Sequence, residues 1–143
     1  MDILLVEDEP HDVEMTLRAL RKYHLSNKIH VARDGEDALA FILGTALHAH
    51  RTMAQDLGLI ILDLMLPKMS GFEILQALQQ EPKVSHIPVV VLTDSKESPN
   101  VVESYRLGAK SYMVKPVDFA KLVHTVKELG FEWSLSNPTV PAD

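Results

Sequence analysis

Short apolar runs alternate along the chain with longer segments in which apolar residues recur every three or four positions. The runs are continuous rather than alternating, which is typical of strands buried on both faces of a parallel sheet. They occupy residues 3–6, 59–62, 89–92 and 111–114, and a weaker run covers 28–31. The pattern therefore predicts five strands.

The longer segments have the spacing of helices with one apolar face. After Pro10, the first segment places apolar residues at i, i+4 and i+7. The residues that mark the five helices are Val13, Leu17 and Leu20; Ala38, Phe41 and Ile42; Ile74, Leu75 and Leu78; Val101, Val102 and Tyr105; and Phe119, Leu122, Val123 and Val126. Gly108 and Gly130 are the expected ends of the last two. Most of residues 44–58, a stretch with Gly44, Gly58 and scattered polar groups, are interpreted as a loop or a frayed helix end.

Five strands alternating with five helices predict an α/β fold, a doubly wound parallel sheet covered on both faces. The pattern alone does not give the order of the strands. We expect one domain over residues 1–131 and a C-terminal tail over 132–143 without a second domain. Sheets of this kind bind ligands beyond the carboxyl ends of their strands.

Composition excludes several classes of function. The net charge is −6 and no Lys/Arg run occurs, which argues against a nucleic-acid partner. The absence of cysteine excludes disulfides and thiolate chemistry. No signal-peptide core and no apolar window of transmembrane length are found, so we expect a cytoplasmic protein without a membrane partner.

Polar residues follow four of the five predicted strands at the point where the apolar run stops. Glu7 and Asp8 follow the first strand, Asp63 the third, Thr93 the fourth and Lys115 the fifth. A single polar residue at such a position is ordinary, because the end of a strand meets solvent. Together, at one edge of a parallel sheet, they predict a single pocket with three carboxylates, a hydroxyl and an ammonium.

Crowded carboxylates repel one another, and a hard cation such as Mg²⁺ relieves that repulsion. With a divalent ion present, Asp63 can act as a nucleophile toward a phosphoryl donor. Lys115 and the Thr93 hydroxyl can offset charge on the transferring oxygens.

The chain resembles the receiver domain of bacterial response regulators over about residues 2–131. The matching motifs are Ile3-Leu4-Leu5-Val6-Glu7-Asp8-Glu9, Leu62-Asp63-Leu64-Met65-Leu66-Pro67 with Gly71, Val91-Leu92-Thr93, and Gly108-Ala109-Lys110-Ser111-Tyr112-Met113-Val114-Lys115-Pro116. The resemblance implies the flavodoxin-like strand order 2-1-3-4-5.

The same resemblance implies a role for each site residue. Asp63 is then the phosphoacceptor, and it binds the metal together with Glu7, Asp8 and the backbone carbonyl of Met65. Thr93 and Lys115 contact the phosphoryl group. Tyr112 takes the place of the aromatic switch residue, although a partly exposed packing role is the alternative.

Two features depart from the usual receiver pattern. Asp94 stands where the family keeps a small side chain, and it is expected to hinder the phosphoryl donor. The link over residues 44–58 is longer than usual. This link, the opening Val6-Glu7-Asp8-Glu9-Pro10, the Pro67-Lys68 pair and Trp133 resemble the stand-alone receivers paired with bacterial phytochrome kinases.

The resemblance predicts a phosphorelay response regulator with self-catalysed phosphorylation and dephosphorylation but no dedicated enzyme turnover. The expected donor is a sensor histidine kinase, of phytochrome type on the subgroup resemblance, or a phosphotransfer protein, and the expected output is an unidentified downstream protein. The alternative is an aspartyl-phosphate phosphatase on a similar sheet. Such enzymes have a second acid two residues after the nucleophile, where this chain has Met65.

Three apolar residues lie beyond the last predicted helix: Phe131 at the end of the domain, and Trp133 and Leu135 in the tail. They can cover the core of their own domain or contact a partner. Because two-fold dimers are the commonest oligomers of soluble proteins, we expect them to join the last helix in a homodimer contact.

Overall fold

Five strands and five helices alternate in the computed structural model, which describes residues 2–21, 27–44, 57–66, 69–94, 99–115 and 117–129. In chain order the elements are β1 Asp2–Val6, α1 Pro10–Arg21, β2 Ile29–Ala32, α2 Gly35–Leu43, β3 Leu57–Asp63, α3 Gly71–Gln80, β4 Val89–Thr93, α4 Pro99–Arg106, β5 Ser111–Val114 and α5 Phe119–Glu128. Within these segments, none of the helices combines the length and the apolar character that a membrane span requires.

The strands form one parallel sheet in the order β2-β1-β3-β4-β5. The order that the receiver resemblance implied is confirmed. Strand β2 lies on one side of β1 within the sheet, and the chain then returns to place β3 on the other side of β1. The carboxyl ends of β1 and β3 therefore flank the point where the strand order reverses, which is where such sheets bind ligands.

Alternate residues of the central strands belong to two different hydrophobic layers, because successive side chains of a strand point to opposite faces of the sheet. One layer joins Leu4, Ile60 and Val91 to buried residues of α2 and α3. The other joins Ile3, Ile61 and Leu92 to α1 and to Leu122 of α5. Burial on both faces explains why these strands have continuous apolar sequences.

The third strand begins earlier than predicted. Leu57 and Gly58, interpreted from the sequence as part of a loop, belong to β3. The pairing with β1 shifts register at this point, since Asp2 pairs with Leu57 and Ile3 with Leu59. Gly58 is thus the extra residue of a β-bulge, a position that glycine tolerates. Residues 45–56 of the predicted loop lie outside the described residues.

Two of the three residues that mark the predicted apolar stripe of α4 do not face the core. The helix is present, but Val102 and Tyr105 are exposed, whereas Ser104 and Leu107 are buried. Successive residues of a helix are separated by about 100°, so burying the face that carries Ser104 turns Val102 away from the sheet. Tyr105 instead meets the ring of Tyr112 edge to face, with centroids 6.1 Å apart.

Two glycines stand at the ends of helices, Gly71 at the start of α3 and Gly108 after α4. Gly108 has φ +108°, and its backbone N–H donates to the carbonyl of Tyr105, which confirms its place after α4. Gly71 begins α3, where a Cβ would lie 2.8 Å from the Cα of Leu64, so a larger residue does not fit without movement. Gly130 lies outside the described residues.

Candidate functional site

Strand pairing brings the predicted polar residues to one edge of the sheet. Val6 pairs with Leu62, so Glu7 and Asp63 follow neighbouring positions of β1 and β3. Asp63 pairs with Leu92, the residue before Thr93. Thr93 pairs with Val114, the residue before Lys115.

The carboxylate of Asp63 is buried and held at both oxygens. The backbone N–H of Met65 donates to Oδ1 over 3.0 Å. The ammonium of Lys115 donates to Oδ2, also over 3.0 Å. Because the residue is 4% exposed, these contacts replace most of the water that an ionised carboxylate would otherwise bind.

Lys115 Nζ lies at the centre of three carboxylates. It is 2.9 Å from Glu7 Oε1, 3.0 Å from Asp12 Oδ2 and 3.0 Å from Asp63 Oδ2. Burial by itself lowers the pKa of Lys115, but the contacts with these three carboxylates outweigh it and hold the pKa above its ordinary value. The lysine is therefore a fixed positive charge beside Asp63.

The carboxyl of Glu7 is completely buried, and its two oxygens differ in their hydrogen bonds to the described residues. Its Oε2 accepts backbone N–H groups of Asp8 and Glu9 at 3.1 and 3.4 Å. Its Oε1 contacts Lys115 without hydrogen-bond geometry and accepts no hydrogen bond from the residues that the structure describes. Burial, followed by the neighbouring Asp63 carboxyl, raises the pKa of Glu7 to about 7 despite the opposing effect of Lys115.

Carboxylate oxygens of Glu7, Asp8 and Asp63 lie within 4.8 Å of one another. Their donor set suits a hard divalent cation, which prefers oxygen ligands. The buried Oε1 of Glu7, which lacks a hydrogen bond, supports the same fit. Asp8 is exposed, so a cation bound here would have a side open to water. The residues present thus fit a divalent metal ion.

The remaining predicted residues lie around this cluster. Thr93 is buried at the end of β4, and its carbonyl accepts the backbone N–H of Lys115 over 2.9 Å. Tyr112 lies in β5, half-buried against the core. The side chain of Met65 is exposed, which leaves its backbone as the part relevant to the site, and Asp94 is exposed after β4.

Asp12 was not predicted as a site residue. It lies in the first turn of α1, and the sequence pattern gives an acid there an ordinary explanation, since carboxylates favour helix N-termini. The one feature of the sequence that could have indicated a site role for Asp12 is its position close after Glu7 and Asp8, at the same edge of the predicted sheet.

The sequence profile of the response regulator receiver domain matches residues 3–127. The chain therefore belongs to the response regulator receiver family and is a response regulator of two-component signalling. The fold and the acidic cluster at the end of β1 and β3 agree with this assignment.

Several phytochrome response regulators are similar to this chain. The bacteriophytochrome response regulator AtBRR is 44% identical, with a TM-score of 0.84 over 95% of this chain and 96% of its own. Response regulator Rcp1 of Synechocystis sp. is 34% identical over 140 residues, 98% of this chain and 92% of Rcp1. The structure of Rcp1 in its Mn²⁺-bound form has a TM-score of 0.74 and covers 99% of this chain and 97% of its own at 33% identity. That of the phosphorylated cyanobacterial phytochrome response regulator RcpA has the same TM-score and 32% identity, over 90% of this chain and 89% of its own.

These relatives confirm the predicted resemblance to the response regulators of phytochrome kinases. A site for a divalent metal ion is supported by the cluster of Glu7, Asp8 and Asp63 and by the Mn²⁺-bound structure of the related Rcp1. Nothing in the described site favours the phosphatase alternative, because Met65, two residues after Asp63, carries no acid.

Proposed function

We propose that Asp63 accepts a phosphoryl group from a histidine kinase in a reaction that requires Mg²⁺. The observation that carries the proposal is the position of the Asp63 carboxylate between the Met65 N–H and the Lys115 ammonium, beside Glu7 and Asp8. The contacts with Met65 and Lys115 orient a nucleophile, and the carboxylates of Glu7 and Asp8 suit a cation that would offset the charge of a dianionic reaction partner.

In the proposed reaction, an Asp63 carboxylate oxygen forms a bond to phosphorus while the phosphorus–nitrogen bond of the donor's phosphohistidine breaks. The imidazole nitrogen keeps the electron pair of that bond, so the kinase histidine is regenerated. Lys115 places its positive charge next to the oxygens that receive the phosphoryl group. Hydrolysis reverses the modification when water attacks the acyl phosphate.

Glu7, Asp8 and Asp63 are the side chains proposed to hold Mg²⁺, with the backbone carbonyl of Met65 as a further ligand. When bound, the ion would neutralise negative charge shared by the carboxylates and the phosphoryl oxygens. The hard oxygen donors and the partial exposure of the cluster support Mg²⁺, which retains several waters in protein sites.

Thr93 and Tyr112 are proposed to transmit the modification to the surface. Thr93 lies on the strand next to Asp63, and its hydroxyl is proposed to donate to a phosphoryl oxygen. Tyr112 lies on the following strand, where its ring meets that of Tyr105 near the surface. A change in the Thr93 position is thereby proposed to alter a face that a downstream protein contacts.

The proposed donor is a sensor histidine kinase of the phytochrome type, or a phosphotransfer protein supplied by one. The similarity to AtBRR and RcpA, both phytochrome response regulators, supports this choice. Residues 1–131 are proposed to form the receiver and 132–143 a tail. Phe131, at the end of the receiver, and the tail residues Trp133 and Leu135 lie outside the described residues, and their role in a homodimer is part of the proposal.

Transfer of radiolabelled phosphate from a phytochrome kinase tests the function. Wild-type protein should be labelled in the presence of Mg²⁺ and unlabelled in excess chelator. Asp63→Asn keeps the size of the side chain but removes the nucleophile, and its labelling should vanish. Glu14→Gln is the matched control, because Glu14 is an exposed acid that contacts Arg18 rather than the site. Full labelling of Asp63→Asn would refute the proposal.

A further inference from the structure

Asp12 connects α1 to the functional site although neither the sequence pattern nor the family resemblance gave it a role. Its Oδ2 accepts a hydrogen bond from Lys115 Nζ over 3.0 Å, across 103 positions of sequence. The side chain is about one-third exposed, whereas that of Lys115 is 16% exposed. The contact thus lies at the mouth of the pocket.

The three carboxylates around Lys115 are not equivalent. An ammonium group has three protons, and three carboxylates lie within 3.0 Å of Nζ. Glu7 and Asp63 also belong to the acidic cluster that fits a cation, whereas Asp12 does not. If a cation engaged Glu7 and a phosphoryl group covered Asp63, Asp12 would be the one of the three whose contact with Lys115 has no competitor.

We propose that Asp12 is a positioning residue that holds the Lys115 ammonium in the pocket while Asp63 receives the phosphoryl group. This inference rests on the proposed function. A lysine has a flexible four-carbon stem, and fixing its charge in one place is entropically unfavourable without a partner. Asp12 is fixed in the first turn of α1, an element packed on the sheet through Val13 and Leu20. It therefore anchors the ammonium from a rigid support, without touching the reacting atoms.

Two substitutions separate the hydrogen-bond acceptor of Asp12 from its charge. Asp12→Asn keeps an oxygen that can accept from Lys115, whereas Asp12→Ala removes the acceptor. With acetyl phosphate as donor and Mg²⁺ present, Asp12→Ala should lower the maximal phosphorylation rate roughly three- to tenfold, with little change in KM. Asp12→Asn should stay within about twofold of wild type, since it restores the contact. Glu14→Gln, on the same helix, should match wild type.

The Lys115 ammonium resonance in nitrogen-15 NMR supplies a readout that a general loss of stability does not produce. In the Mg²⁺-loaded wild type, its protons should exchange slowly with water, because a carboxylate engages them. Asp12→Ala should accelerate that exchange, and Asp12→Asn should largely retain the slow exchange. Lys115→Ala identifies the resonance by its disappearance.

The possible failures are distinct. Labelling that persists in Asp63→Asn would refute the proposed function itself. Labelling at Asp63 with equal rates and equal ammonium exchange in wild type and Asp12→Ala would overturn the role of Asp12 and leave the proposed function intact. A rate loss of the same size in Asp12→Ala and Asp12→Asn, with unchanged ammonium exchange, would also overturn it.

Discussion

The Glu7 carboxyl and the Lys115 ammonium lie 2.9 Å apart, yet the pKa of Glu7 is about 7 rather than below its ordinary value of 4.5. Burial of Glu7 and the adjacent Asp63 carboxyl act against ionisation, and the shared lysine does not compensate for both. A lysine divided among three carboxylates cannot neutralise each of them. The site without a cation is therefore short of positive charge.

Divalent cation binding should strengthen as the pH rises from 6 to 8. Glu7 is mostly protonated at the lower pH, and a carboxyl must lose its proton to bind a metal. Because the pKa of Glu7 is about 7, the apparent Mg²⁺ affinity should increase up to about tenfold over this range, with proton release. Calorimetric titration in buffers of different ionisation enthalpy measures both quantities. Glu7→Gln should bind more weakly and show a flatter pH dependence, and an equally steep dependence in that variant would contradict the assignment to Glu7.

Glu7→Gln should stabilise the metal-free protein at pH 8 but not at pH 4.5. The pKa of Glu7 is higher in the folded chain than its ordinary value, so folding favours the protonated carboxyl. That stabilisation is fully present below about pH 4.5 and is lost as the pH rises through about 7. The neutral amide avoids the loss. Because the pKa of Glu7 rises from 4.5 to about 7, the expected gain in the free energy of unfolding at pH 8 is up to about 3 kcal/mol. Urea unfolding with chelator, compared with Glu14→Gln, checks the pH-dependent difference.

Gly71→Ala should destabilise the fold by about 1–3 kcal/mol. The new Cβ would lie 2.8 Å from the Cα of Leu64, and backbone moves less readily than a flexible side chain. Gln76→Ala is the matched control, because Gln76 is exposed on the same helix and its replacement should change stability by less than about 0.5 kcal/mol. Denaturant unfolding compares the two variants. Equal free energies of unfolding for the two variants would mean that the backbone near Leu64 moves to accommodate the new Cβ at little cost.

Asp94→Ala should accelerate phosphorylation by acetyl phosphate. An acid near the pocket repels an incoming dianion, and Asp94 follows Thr93 directly in an exposed position. Because exposed charges are screened by salt, the difference from wild type should shrink as ionic strength increases. Rates measured at low and high salt check this. Unchanged rates at low salt would show that the carboxylate does not influence the approach of the donor.

Truncation after Gly130 should weaken self-association. Phe131, Trp133 and Leu135 are apolar, and their exposure to water costs about 25 cal/mol per Å². In a two-fold contact each tail meets its symmetry mate, so truncation removes both halves of the contact. Sedimentation of the full-length and truncated chains, with and without phosphodonor, measures the effect. If both chains sediment as monomers under every condition, the dimer contact is refuted, and the apolar residues would instead cover the core of their own domain.

The sequence by itself determined the number, the type and the alternation of the elements. Continuous apolar runs such as 3–6 and 89–92 are strong signals because both faces of the sheet are covered. It also identified Glu7, Asp8, Asp63 and Lys115, since a polar residue directly after a buried run must lie at the sheet edge. Strand order came from the family resemblance, because periodicity carries no information about which strands are neighbours.

Tertiary packing decided what local patterns could not show. Gly58 has the signature of a loop, yet pairing with β1 places it in a bulge of β3. The apolar pattern of α4 indicated burial of Val102 and Tyr105, but both are exposed and Ser104 is buried instead. Asp12 looks like an ordinary acid in a first helical turn, and only the fold brings it within 3.0 Å of Lys115. The pKa of Glu7 likewise depends on its burial and on Asp63, a residue of another strand. Each of these outcomes depends on contacts between distant segments, and a local sequence pattern does not contain them.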